Sequence, residues 1–93
     1  MADKKREVSI KIPDEVLGGV YANQMMVTHT REEFVLDLIN LLPPHGVVNA
    51  RVIVSPGHLK RMIRALQENL SRYEQRFGVV EEAQVPKAGE FMN

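Results

Sequence analysis

The sequence contains no cysteine and no tryptophan, and it has no apolar run of the roughly twenty residues that a membrane-crossing helix needs. Without cysteine, neither disulfide bonds nor a thiolate metal site can stabilise the fold. The basic start of the chain is followed by an alternating segment and not by the apolar core of a signal peptide. We therefore expect a soluble, unprocessed, cytoplasmic protein that does not associate with membranes.

The chain also lacks net charge, because its 12 basic residues are balanced by 12 acidic ones. A dedicated nucleic-acid-binding domain usually carries a clear positive excess, so nucleic acid is not the favoured partner. The 93 residues are enough for one domain, but they enclose only a small core. Since no disulfide can compensate, we expect oligomerisation to supply further buried apolar area, with a homodimer as the simplest assembly and a separate protein partner left open.

The stretch from residue 55 to residue 78 predicts a long helix with both ends marked. Ser55 is a good N-cap, Pro56 suits the first helical position, and Gly78 can adopt the left-handed conformation that ends a helix. About 22 helical residues span about 33 Å, which exceeds the diameter of about 30 Å expected for a compact domain of this size. Apolar residues follow at alternating steps of four and three, which places them on one stripe. They are Leu59, Ile63, Leu66, Leu70, Tyr73 and Phe77, with Met62 beside them.

The N-terminal part of the domain predicts a β-hairpin. Residues 6–12 alternate polar with β-branched side chains, which is typical of a half-buried strand that ends at Pro13. Residues 13–19 contain turn formers, and residues 20–28 predict a second, antiparallel strand. Asn23 lies in that second strand, where it indicates either a bulge or exposed face, or an amide that faces a ligand.

The middle of the chain predicts a short helix followed by a third strand. Thr30 and Glu33 have the spacing of a capping box, and Phe34, Leu38, Leu41 and Leu42 form an apolar stripe behind it. Pro43-Pro44 would end this helix. Residues 47–54 are rich in valine and predict a strand that runs directly into the long helix, placed either parallel through a right-handed crossover or antiparallel beside the hairpin.

These elements predict a two-layer α+β domain with a three-stranded sheet, one short helix and one long helix, in the order strand, strand, helix, strand, helix. The domain covers residues 6–78. Residues 1–5 and 79–93 have no sustained period, so we expect a disordered N-terminal tail and a flexible C-terminal tail, although Val79 and Val80 could dock locally.

Several short blocks carry a family resemblance over about residues 7 to 80. They are Val20-Tyr21-Ala22-Asn23, Glu33-Phe34 with Asp37, the run from Arg51 to Pro56, and Tyr73-Glu74 with Phe77-Gly78. In these blocks the chain resembles a small bacterial family of uncharacterised proteins, known only as a domain of unknown function. The resemblance implies a bacterial, cytoplasmic, stand-alone protein, and it implies no activity, substrate, cofactor or catalytic residue.

Candidate catalytic and metal-binding residues have simpler structural interpretations. The spacing of His29, His45 and His58 supplies no ligand set, since a structural zinc site needs four protein ligands and a catalytic site three. Phosphate-binding and dinucleotide-binding motifs are absent from the sequence, and so is a nucleophile elbow. We therefore predict a non-enzymatic protein with no catalytic residues, metal or cofactor.

Two groups of residues remain as candidate binding sites, and both lie on the long helix. Leu70, Tyr73 and Phe77 are predicted to form an oligomer interface, because the far end of the helix extends past the domain. The start of the helix combines its positive dipole with basic side chains, which could bind an anion or nucleic acid. These are His58, Lys60, Arg61 and Arg64. The two predicted functions are a homo-oligomeric binding or scaffold module and, alternatively, a nucleic-acid-associated regulator.

Overall fold

The computed structural model describes residues 7–86, and its three strands form one antiparallel sheet in sequence order. The elements are α1 (Asp14–Leu17), β1 (Gln24–His29), β2 (Phe34–Leu42), β3 (His45–Val54) and α2 (Pro56–Phe77). The α+β class, with a three-stranded sheet and two helices, is confirmed, although the short helix is α1 and not the helix predicted for residues 30–42. The predicted order is wrong, because the short helix precedes the sheet and the three strands follow one another.

The strand predicted for residues 6–12 is wrong. Residues 7–13 have no regular secondary structure, and Arg6 lies outside the described residues. The predicted turn at 13–19 contains α1 instead, whose first turn carries the acids Asp14 and Glu15, a placement that the helix dipole favours. The predicted hairpin does not form because the chain before β1 does not run alongside β1. Asn49 of β3 donates a hydrogen bond to the carbonyl of Tyr21, which holds that part of the chain beside β3.

The helix predicted for residues 30–42 is also wrong, because β2 occupies most of this stretch and pairs on both sides. The Thr30 hydroxyl does accept from the Glu33 amide, as a capping box requires, but it caps the hairpin turn between β1 and β2. The apolar residues that would surround a helix lie instead on the two faces of a central strand, and both faces are apolar. Pro43-Pro44, joined by a cis peptide bond, ends a strand and not a helix.

The β3 prediction is confirmed, with an antiparallel placement. β3 begins at His45, two residues earlier than predicted, and its register against β2 shifts by one residue at Asn49, between the pairs Leu38–Ala50 and Ile39–Val48. The predicted parallel crossover does not occur, because a turn of two prolines connects β2 directly to β3. The second predicted strand is present as β1, which starts at Gln24 instead of residue 20.

The polar residue Asn23 closes the sheet on the side where the chain enters it. Its amide donates to the carbonyl of Leu41 at 3.0 Å and accepts from the amide of Leu41 at 2.8 Å. Its own backbone N–H donates to the carbonyl of Ile39. Each side-chain polar atom of Asn23 therefore bonds to the backbone of Leu41, which gives the amide a role within the sheet, and Asn23 is exposed, as the first alternative predicted.

The buried core is very small. Among the described residues, Leu36 and Leu41 are the buried apolar side chains, both on the central strand. The side chain of Leu41 covers the space above Gly46 on β3, where a Cβ atom would lie 3.0 Å from its Cδ1. The radius of gyration is 17.2 Å, against about 12 Å expected for a compact chain of this length. One copy of the chain therefore leaves most of its apolar residues on the surface.

The long helix is confirmed over its full length. Ser55 caps it by accepting a hydrogen bond from the His58 amide, and Pro56 is its first residue. Gly78 follows the last turn with φ of 100°, a conformation that favours glycine, and its N–H donates to Glu74. The Glu74 carboxylate also accepts from the Val80 amide at 2.9 Å, which fixes the chain just after the helix. Residues 1–5 and 87–93 of the predicted tails lie outside the described residues.

Candidate functional site

An apolar cleft lies between the sheet and the first half of α2. The sheet contributes side chains from all three strands, since Met25, Leu38 and Val52 belong to β1, β2 and β3. Met25 pairs with Leu38, and Val27 pairs with Leu36, so the antiparallel register places these side chains on one face of the sheet. The helix contributes Leu59, Met62, Ile63 and Leu66. Leu59 is three and four residues before Met62 and Ile63, and these are four and three residues before Leu66, so the helix turns all four toward the same side.

The cleft has a volume of about 450 Å³, and all nine of its lining residues are apolar. Because it contains no titratable or nucleophilic side chain, it offers no group for acid–base or covalent catalysis. Its mouth is open, and five of its nine lining residues remain exposed, which are Met25, Val27, Val52, Ile63 and Leu66. The arrangement can bury apolar surface and can discriminate shape.

The predicted interface residues continue the helical wall of the cleft. Leu70, Tyr73 and Phe77 are all exposed and lie on the same stripe as Leu66. The rings of Tyr73 and Phe77 contact each other with centroids 4.9 Å apart. The Arg76 guanidinium lies 5.3 Å from the centre of the Phe77 ring. Contacts within the helix thus hold both aromatic rings, and both rings still face solvent.

The predicted basic cluster lies at the start of α2, and all four of its side chains are exposed. Arg61 donates a hydrogen bond to Nδ1 of His58 at 2.9 Å, so these two residues are brought together. Lys60 and Arg64 are one turn apart on the same helix. The first turn contains no acidic residue. The cluster is therefore a solvent-facing positive surface and not a closed anion site.

An ion pair that the sequence did not predict crosses the opposite face of the sheet. Arg51 of β3 donates two hydrogen bonds to the carboxylate of Asp37 on β2, at 2.6 Å from Nε and 2.9 Å from Nη2. The two residues are directly paired in the register. Asp37 is buried, whereas Arg51 remains exposed. The pair could not be predicted because residues 30–42 were interpreted as a helix, in which Asp37 could not lie opposite a residue of the third strand.

Asp37 and Arg51 each shift the pKa of the other. The hydrogen bonds from Arg51 lower the pKa of Asp37 below its ordinary value of 3.8, and burial of the carboxyl partly opposes this. The same hydrogen bonds raise the pKa of Arg51. A carboxylate held by a bidentate arginine stays charged and has no proton to donate at neutral pH. This pair links β2 to β3 at two directly opposed residues.

The histidines do not converge on a metal site. The His29 ring packs against Phe34 across the hairpin, with ring centroids 5.1 Å apart. Across residues 7–86, no three His, Cys, Asp or Glu side chains are grouped so that they could hold a metal ion. Over the same residues, no helix is long and apolar enough to cross a membrane.

The fold and its surfaces define a class of small α+β domains, in which an antiparallel three-stranded meander leads into one long amphipathic helix. The family model described as "Protein of unknown function (DUF3467)" matches residues 1–82, so the chain belongs to that family. No curated protein and no solved structure matches the chain. The family resemblance stated from the sequence blocks is confirmed as membership of a domain family of unknown function.

Proposed function

We propose that this protein is a non-enzymatic, homo-oligomeric binding or scaffold module, with a dimer as its basic unit. The observation that carries the proposal is the amount of apolar surface that one copy leaves in water. Leu70, Tyr73 and Phe77 are 44%, 49% and 65% exposed, although they share one helical stripe with the wall of the cleft. Contiguous apolar surface of this kind on a small domain marks an interaction site.

The total surface area supports the same proposal. The chain exposes 8547 Å² of surface. A compact monomer of its mass, 10.6 kDa, is expected to expose about 5,500 Å². The excess of about 3,000 Å² includes the surface of residues 7–13 and 78–85, which are exposed and have no regular secondary structure, as well as the apolar stripe of α2. A second copy is the simplest source of cover for that stripe, because every cell that contains the protein supplies it.

The experiment is sedimentation equilibrium over a range of protein concentrations, with two charge variants compared. Leu70→Asp introduces a carboxylate on the apolar stripe, and Gln75→Asp introduces the same group about 140° away around the helix. We expect the wild type and Gln75→Asp to sediment as a dimer at micromolar concentration. Leu70→Asp should weaken association at least tenfold. A folded wild-type monomer at that concentration would overturn the proposal.

The alternative function is a nucleic-acid-associated regulator. It is favoured by one observation, which is that Lys60, Arg61 and Arg64 are exposed at a helix start whose first turn carries no acid. Helical spacing places Arg61 and Arg64 on the side opposite the apolar stripe and Lys60 on its flank, so dimerisation through that stripe leaves Arg61 and Arg64 accessible. Retention on heparin that salt abolishes would support this function. Unchanged binding in the double variant Arg61→Glu/Arg64→Glu would exclude it.

Both functions are compatible with a bacterial, cytoplasmic location, which we propose from the absence of cysteine and from the resemblance described above. A protein partner other than the second copy has a place to bind only if the dimer leaves part of the cleft open. Affinity purification from the native host, with mass spectrometry and nucleic-acid sequencing of what co-purifies, separates the two functions. A specific protein supports the module, and recovered nucleic acid supports the regulator.

A further inference from the structure

Residues 7–12 have the pattern of a strand but pair with no strand in the part of the chain that the structure describes, residues 7–86. Val8, Ile10 and Ile12 alternate with Glu7, Ser9 and Lys11, and the three apolar side chains are 79%, 89% and 56% exposed. Alternating β-branched residues gain stability only against a neighbouring strand. In one copy of the chain, the segment therefore has the side-chain pattern of a strand but no neighbouring strand among the described residues.

The outer edge of β1 offers the matching surface. The backbone N–H of Thr30 donates to the carbonyl of Glu33 at the hairpin turn. Every second residue before Thr30 therefore makes its backbone hydrogen bonds with β2, and these residues include Thr28 and Met26. The backbone N–H and C=O groups of the alternate residues Met25 and Val27 therefore point away from β2, where the Met25 N–H donates to Oε1 of Gln24 at 2.9 Å, a local bond that an added strand would replace. The six residues of β1 include no Asp, Glu, Lys, Arg or proline, the residues with which proteins usually protect an edge strand from pairing.

Side-chain alternation also matches between the segment and β1. Met25 and Val27 lie on the cleft face of the sheet, whereas Gln24 and Thr28 lie on the other face. A strand that adds to β1 with Val8, Ile10 and Ile12 on the cleft face extends the apolar wall. Its polar residues, Glu7, Ser9 and Lys11, then lie beside Gln24 and Thr28. A shift by one residue would reverse both faces and is disfavoured.

The path of the chain separates the segment from the β1 edge of the same copy. Asn49 of β3 holds the carbonyl of Tyr21, and Asn23 holds Leu41 at the end of β2. From β1 back toward the N-terminus, the chain therefore crosses the end of the sheet toward β3. Pairing with its own β1 would require the chain before Tyr21 to turn back from β3 past the end of β2. A second copy can present its β1 edge with no such constraint.

We propose that residues 7–12 add as a fourth strand to the outer edge of β1 in a second copy of the chain, so that two copies exchange segments reciprocally. The inference rests on the proposed homo-oligomeric function and names a site for it that is separate from the helix. Because each copy gives one segment and receives one, a two-fold exchange pairs the β1 edge of both copies and closes the assembly.

The test is a disulfide between two differently tagged single-cysteine variants, since the natural chain has no cysteine. Val27→Cys is mixed in turn with Val8→Cys, Ile10→Cys and Ile12→Cys, and the matched control is Ser9→Cys, which faces the other side of the added strand. After mixing, unfolding, refolding and mild oxidation, at least one of the three apolar positions should give at least ten times more mixed disulfide than Ser9→Cys. Neighbouring side chains on one face are close enough to bridge, and those on opposite faces are not.

The outcomes separate this inference from the function on which it rests. Sedimentation of each mixture is measured before oxidation. A dimer that links no apolar position better than Ser9→Cys overturns the exchange and leaves the dimer standing. A folded monomer overturns both. The double variant Ile10→Cys/Val27→Cys is oxidised separately at nanomolar concentration, and a disulfide within one chain there, with none in the mixtures, shows pairing within one copy and also overturns the exchange.

Discussion

The side-chain amide of Asn23 bonds to both backbone polar groups of Leu41, 18 residues further along the chain. It acts as an extra residue of the sheet, because a strand partner would make the same two hydrogen bonds at this position. The contact holds the chain that enters β1 against the end of β2, and it thereby directs residues 7–20 away from the edge of β1.

Asn23→Ala should destabilise the fold by about 1–3 kcal/mol, because it leaves the N–H and C=O of Leu41 without these partners. The matched control is Asn40→Ala on β2, where the asparagine is exposed, and a change within about 0.5 kcal/mol is expected. Urea denaturation at one fixed protein concentration measures both variants, since association also contributes to stability. Equal effects of the two substitutions would contradict the structural role of Asn23.

Leu41→Ala and Leu42→Ala make the same chemical change at adjacent residues on opposite faces of β2. Leu41 is 3% exposed and Leu42 is 74% exposed. Removing the Leu41 side chain leaves a cavity above Gly46 and should cost about 2–5 kcal/mol. Leu42→Ala should cost less than about 1 kcal/mol. Thermal denaturation of the two variants tests this, and a larger loss at Leu42 would show that the oligomer buries that side of the strand.

Stability should fall in acid as the Asp37 carboxylate is protonated. The pKa of Asp37 is lowered in the folded state, so the ion pair stabilises the protein at pH above the ordinary value of 3.8 and is lost as the pH falls below it. Asp37→Asn should be less stable than the wild type at pH 7, and the difference should narrow below about pH 4. Denaturant midpoints between pH 7 and pH 2.5 measure it.

Arg51→Lys is the matched variant for that pair, because it keeps the charge but cannot form two parallel hydrogen bonds with the carboxylate. We expect its stability at pH 7 to lie between those of the wild type and Asp37→Asn. A wild-type advantage over Asp37→Asn that stays constant down to pH 2.5 would be inconsistent with a lowered pKa.

The cap of α2 should contribute measurably to the helix that carries the apolar stripe. Ser55→Ala removes the oxygen that accepts from the His58 amide and should cost about 1 kcal/mol. Ser71→Ala, inside the same helix, should be neutral or slightly stabilising, because alanine has the higher helix propensity. The free energy of unfolding from urea titrations compares the two, and an equal response would argue against the cap.

The sequence by itself determined α2 and β3. Ser55, Pro56 and Gly78 act within one or two turns of their own position, so the ends of α2 are local events that need no tertiary contact to be predicted. The stripe from Leu59 to Phe77 was predicted for the same reason, and so was the turn at Pro43-Pro44.

Only the tertiary structure decided whether residues 30–42 and 7–12 form strands. The Thr30 hydroxyl bonds to Glu33 in a hairpin turn as it would in a helix cap, so local chemistry did not distinguish the two. β2 became a strand because both neighbouring strands meet its hydrogen bonds, and Asp37 found Arg51 only through that pairing. Residues 7–12 carry an equally clear strand pattern, but the chain path set by Asn23 and Asn49 gives them no neighbour, and a strand requires one.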